Sequence, residues 1–161
     1  MRGRAWKRWT VLGLTALLLA GCASGPVRRV SEPSARIQQL TVGADGNWSV
    51  ELRLENFSSI PMRFDSLRLD LDVEGHDAGT LQAQPAITIG PESADVVQVP
   101  VAPAAGSKLA VADALAAGRS VNYSLEGSIT ATPDEERQRV FDGLSRRSAL
   151  SPAPGLPGVM R

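Results

Sequence analysis

Trp48-Ser-Val-Glu-Leu-Arg-Leu-Glu55 decides the fold. Trp48, Val50, Leu52 and Leu54 alternate with Ser49, Glu51, Arg53 and Glu55. Successive side chains of a strand point to opposite faces, so a period of two gives one apolar face and one charged face. Leu67-Arg-Leu-Asp-Leu-Asp-Val-Glu74 repeats the pattern with Leu67, Leu69, Leu71 and Val73 on one side. Met62 and Phe64 precede it on even numbers, so the change of parity across Asp65-Ser66 predicts a bulge or bend. Val121, Tyr123, Leu125, Ile129 and Ala131 form a third alternation, with Gly127 on the inward parity. A glycine there signals a bulge or a close backbone approach.

Outward from these runs, residues 37–42 read as a short edge strand, joined to the first run by a turn at Asp45-Gly46-Asn47. Asn56-Phe-Ser-Ser-Ile-Pro61 is a loop, and Gly75-His76-Asp77 a tight turn. Residues 80–86 pair back, and Ile87-Thr88-Ile89 is a short strand closed by Gly90-Pro91. Val97, Val99 and Val101 alternate with Gln98 and Pro100; proline cannot donate to a ladder, so this strand lies at an edge or turns Pro100 outward. One helix is expected over residues 108–117, capped by Ser107 and ended by Gly118, with Leu109, Ala112, Leu115 and Ala116 as its apolar stripe and Val111 as a weaker member. Residues 132–138 are turn-like, and residues 139–144 give a last short strand with Val140 and Phe141. Alternating, turn-bounded runs with one late helix predict a mainly β domain. The expected architecture is an antiparallel β-sandwich, immunoglobulin- or fibronectin III-like, over residues 35–150.

The first 21 residues read as a signal peptide. Arg2, Arg4, Lys7 and Arg8 precede a short apolar run that ends in small residues. That run is shorter than the roughly 20 residues needed to span a bilayer. Leu19-Ala20-Gly21-Cys22 resembles the lipobox of bacterial lipoproteins. The resemblance implies lipid on the Cys22 thiol, cleavage before Cys22 and acylation of the new amino terminus. Residues 22–34, with Ser24-Gly25-Pro26 and Ser31-Glu32-Pro33, are then a lipidated flexible tether. Pro152, Pro154 and Pro157 mark residues 151–161 as a disordered tail.

Composition narrows the function. Four of the 17 basic residues precede Cys22, leaving 13 against 17 acidic ones, which argues against nucleic acid as a partner. Cys22 is the single cysteine, so no internal disulfide is available and stability rests on packing. Asp70, Asp72 and Glu74 look like a metal cluster, but alternate positions on a polar strand face are ordinarily solvated. They lack the glycine-bearing loop of calcium sites. His76, the single histidine, sits at a turn with no second histidine to join it. The sequence has no Gly-x-Ser-x-Gly elbow, His-Glu-x-x-His pair or phosphate-cradling glycine loop. No catalytic residue, metal or cofactor is therefore assigned, and the chain is read as not an enzyme.

The order of features resembles the late-embryogenesis-abundant type 2 (LEA type 2) family, whose unit is the WHy (water stress and hypersensitive response) domain. The resemblance is carried by Val50-Glu-Leu-Arg-Leu-Glu-Asn-Phe57, Ile60-Pro61-Met62 and Leu67 to Gly75. Ala78-Gly79, Val97-Gln-Val-Pro-Val101, the helix with Leu115 and Gly118, and Tyr123-Ser-Leu-Glu-Gly127 extend it. The family usually follows the asparagine with proline, where this chain has Phe57. The resemblance implies a small non-catalytic domain linked to desiccation or stress. Joined to the lipobox, it implies a lipid-anchored envelope protein with a protective or binding role; the alternative is an accessory lipoprotein docking onto an envelope complex. The membrane is then a partner through Cys22, and an envelope protein is a second candidate partner. Ala23 rather than Asp follows Cys22, which in enteric-type bacteria directs lipoproteins to the periplasmic face of the outer membrane.

Overall fold

A computed structural model describes residues 27–161. The signal peptide, the lipobox Leu19, Ala20 and Gly21, Cys22 and the first residues of the tether lie outside the described residues. The strands are β1 (Ser34–Val42), β2 (Trp48–Asn56), β3 (Met62–Val73), β4 (His76–Ala83), β5 (Ile87–Ile89) and β6 (Ser93–Val101). Helix α1 (Ala105–Ala117) follows, then β7 (Val121–Pro133), β8 (Arg139–Leu150) and β9 (Val159–Met160). One sheet has the order β6-β2-β1-β9; the other has β4-β3-β7-β8, with β5 also on β3. Every pairing is antiparallel. The expected antiparallel sandwich with one short helix is the fold.

The alternation does what strand geometry requires. Trp48, Val50, Leu52 and Leu54 are buried, as are Leu67, Leu69, Leu71 and Val73, and Val121, Tyr123, Leu125, Ile129 and Ala131. They form one apolar core with Met62, Phe64, Leu81 and Val99. Burial of a leucine-sized side chain stabilises by about 2 kcal/mol, and a domain without disulfides depends on many such contacts. The register of β3 on β7 shifts between Phe64 and Ser66, where the parity changes. That bulge lets Phe64 and Leu67 reach the same core. At Gly127 both expectations hold: the register on β8 shifts between Gly127 and Ile129. A Cβ on Gly127 would also stand 2.1 Å from the Arg68 carbonyl oxygen. Another bulge falls between Ile37 and Gln39 in β1. There the Ile37 amide donates to the Tyr123 hydroxyl at 3.1 Å, tying one sheet to the other.

Several expectations are corrected. The segment 151–161 is ordered, not a loose tail. Met160 is fully buried, and β9 pairs with Leu40 and Thr41 of β1. The Ser151 amide donates to the Arg161 carbonyl and the Val42 amide to the Gly158 carbonyl. Proline fixes φ, so it suits the turns of a compact hook as well as a disordered chain. The sandwich domain therefore extends past residue 150, and β1 is covered by β9 rather than left at an edge. Residues 27–33 are docked, not free: the Arg29 amide donates to Ser59 Oγ at 2.8 Å and the Ser31 amide to Ser58 Oγ at 3.0 Å. The last long strand, β8, runs to Leu150 rather than stopping at residue 144, because β7 offers it a full-length partner. The tight turn is Glu74-Gly75, both at positive φ, and His76 already pairs with Val73.

Helix α1 begins at Ala105, and Ala104 caps it without a side-chain bond. Ser107 lies inside, its hydroxyl donating to the Ala104 carbonyl at 2.9 Å. Gly118 ends the helix in the left-handed conformation, as expected. The buried face is Ser107, Val111 and Ala114, while Leu109 is 71% exposed. Alanine dominates the stretch, so two faces are nearly equal in hydropathy, and close approach to the sheet selects the one with small residues.

Candidate functional site

The strands run between two poles, and each pole has its own character. At the first lie the start of β1, the β2–β3 loop, the β5–β6 turn and the β7–β8 turn. Asn56 holds this pole together. It closes the even-numbered inward series of β2 and is 1% exposed. Its side-chain amide donates to the carbonyls of Ile60 at 2.9 Å, Ile89 at 3.1 Å and Gly90 at 2.9 Å. Its Oδ1 accepts from the Ser58 amide at 2.9 Å. A buried amide is tolerated only when satisfied, and here it joins two loops that each cross between the sheets. Residues 27–33 cross the same pole as a strap. Arg28 donates to the Asp134 carbonyl and pairs with Glu135 at 3.1 Å; Arg29 donates to the Phe57 carbonyl and pairs with Glu92 at 3.5 Å. Phe57 itself stands 49% exposed.

At the second pole α1 packs on β4, β3 and β7 and faces the ends of β1 and β2 across a gap. A groove of about 390 Å³ opens there, lined by Val42, Trp48, Ala112, Leu115 and Gly158, with Lys108 at its rim. Exposed Leu109 continues the helix surface beside it.

The sheet faces carry charge without a reactive centre. On the first sheet Glu55 accepts from Ser34 and meets Arg36 and Arg53. Partial burial pushes its carboxyl up, but the Ser34, Arg53 and Arg36 contacts outweigh this and hold it below the ordinary value. On the second sheet, hydrogen bonds from Thr132 and Gln138, helped by Arg63, hold the Asp65 carboxyl low. In the β1–β2 turn, the Asn47 backbone and side-chain amides hold Asp45 low.

Asp70 and Asp72 of β3 and Glu74 of the turn after it are each engaged separately. Asp70 accepts from Thr80 at 2.6 Å, Asp72 from the Gly75 amide at 2.8 Å, and Glu74 from Asn122. Among the described residues no group of three His, Cys, Asp or Glu is placed to hold a metal ion. His76 packs against Gly106 of α1, whose missing side chain admits the imidazole ring. Asn56 reads as the start of a loop in the sequence, yet it is the last residue of β2 and is buried. Its signal was parity: a polar residue on the inward series of a strand must find partners inside.

The family profile of the late embryogenesis abundant proteins matches residues 51–139, more than half of the chain. The chain belongs to this family. The matched LEA type 2 region runs from within β2 to the start of β8 and includes Asn56, Gly127 and all of α1. The LEA type 2 family is generally non-catalytic and associated with stress and desiccation. No curated protein matches the chain. Among solved structures, a crystal structure of a protein from Archaeoglobus fulgidus is similar at 15% identity, with 78% of this chain and 98% of that chain covered and a TM-score of 0.39. A solution structure of a protein from Arabidopsis thaliana is similar at 14% identity, with 80% of this chain and 83% of that chain covered and a TM-score of 0.41.

Proposed function

We propose that this LEA type 2 protein is a lipid-anchored envelope protein that shields membranes and neighbouring proteins during water loss. Acyl chains on Cys22 hold it at the periplasmic face of the outer membrane. The observation that carries the shielding role is the pair of outer sheet faces. Glu51, Arg53 and Glu55 on one, and Arg68, Asp70, Asp72 and Glu126 on the other, make dense mixed-sign surfaces over a closed core. Such faces retain water and resist edge-to-edge association as neighbours crowd together. The test is to dry a labile enzyme with the purified domain. Recovery above that given by an inert protein of similar size supports shielding; equal recovery removes it.

A second reading, docking onto an envelope complex, is favoured by the groove beside α1. An apolar groove rimmed by Lys108 and continued by exposed Leu109 suits the apolar surface of another protein. A photo-crosslinking residue at position 109, used in cells, separates the readings. One stoichiometric adduct favours docking and a diffuse set favours shielding.

A further inference from the structure

We propose that the pole crossed by the strap is the face this domain presses against the bilayer, with Phe57 as its interfacial contact. The proposal rests on the reading that Cys22 carries the lipid. Four residues, Ala23, Ser24, Gly25 and Pro26, separate Cys22 from Val27, where the described chain begins. Even fully extended, Cys22 to Val27 spans about 18 Å.

The strap that follows adds no reach, because it is fastened to the domain. Ser59 Oγ donates to the Val27 carbonyl at 2.8 Å, the Arg29 and Ser31 amides donate to Ser59 and Ser58, and Arg28 and Arg29 close onto Glu135 and Glu92. A nine-residue strand such as β2 is about 30 Å long, so α1 and its groove stand a full strand length farther from the lipid. The helix pole cannot meet the membrane unless the strap is undone.

The chemistry of the near pole selects the kind of lipid contact. Phe57 and Val27 are exposed large apolar side chains at its tip, and their backbone carbonyls accept from Arg29 and Ser59 of the strap junction; exposed Val140 lies farther along β8. Exposed Phe, Trp and Leu side chains beside polar groups bury at the boundary of headgroups and acyl chains. The two arginines of the strap already meet Glu135 and Glu92, and in the β7–β8 turn Arg137 and Arg139 stand beside Asp134 and Glu136, so basic and acidic side chains nearly balance at this pole. This pole therefore suits a zwitterionic surface and gains nothing from anionic headgroups. It also follows that the groove beside α1 faces away from the anchoring membrane.

Full-length lipidated protein carrying Phe57→Trp or Leu109→Trp, reconstituted into phosphatidylethanolamine–phosphatidylcholine vesicles with brominated acyl chains, tests the orientation. The tryptophan at position 57 is expected to lose about half of its added emission, as an interfacial indole does, and that at position 109 none. Replacing phosphatidylcholine by phosphatidylglycerol should leave this unchanged. Vesicle-bound protein quenched at position 109, or at neither position, overturns the proposal, as does quenching at position 57 that appears only with phosphatidylglycerol. A mature protein whose intact mass lacks acyl chains, and which fails to float with vesicles, overturns the anchoring reading instead.

Discussion

Asn56 shows how one side chain fixes a loop junction. Asn56→Ala leaves the Ile60, Ile89 and Gly90 carbonyls without their donor and should cost about 3 kcal/mol, measured by urea unfolding. Asn56→Asp should be worse at neutral pH, because it turns a carboxylate toward three carbonyl oxygens; stability at or above that of the alanine variant would contradict the clamp. Asp65 and Glu55 set the acid response. Both carboxyls are held below their ordinary values of 3.8 and 4.5. Their folded forms therefore bind protons less readily than the unfolded chain, and stability falls as pH drops through and below that range. Asp65→Asn should be less stable than the parent at neutral pH, with the gap closing below about pH 4. A gap that does not depend on pH would refute this role for the Thr132 and Gln138 bonds.

At the scale of elements, α1 and the terminal hook carry the clearest expectations. Leu109→Gln should change stability by less than about 0.5 kcal/mol, whereas Val111→Ala should cost about 2 kcal/mol. The reverse order in thermal unfolding would mean that the other helix face is buried. Met160→Ala should cost about 2–3 kcal/mol despite lying in the last two residues, because its side chain is fully buried beside β1. Hydrogen exchange at Leu40 and Thr41 should accelerate in that variant, and unchanged protection would show that β9 does not cover them. The bulges at Asp65 and opposite Gly127 belong to this scale too. The first keeps the apolar series of β3 on the core although the parity slips from Phe64 to Leu67, and the second takes up its extra residue in β8, between Phe141 and Leu144.

For the whole molecule, the proposed anchor is separable from the fold. Cys22→Ser should abolish lipid labelling and release the domain from membranes while leaving its thermal unfolding unchanged, since the core contains no cysteine. Normal membrane retention of that variant would remove the anchor. Strand identity, turn positions, the bulge near Asp65 and the close approach at Gly127 were legible in the sequence because strand side chains alternate and any break in alternation has a geometric cause. The resemblance of Leu19-Ala20-Gly21-Cys22 to a lipobox is likewise carried by the sequence without any fold, and Cys22→Ser tests it. What the linear pattern left open was set by long-range partners. Val111 rather than Leu109 faces the sheet, because alanine-rich faces differ in fit, not in hydropathy. Prolines that looked like disorder became turns once β1 offered Leu40 and Thr41 as partners. Arg28 and Arg29 became a strap once Glu135 and Glu92 came within reach. Period and parity are local and can be read along the chain; pairing partners and helix facing depend on residues tens to more than a hundred positions away, so only the folded molecule decides them.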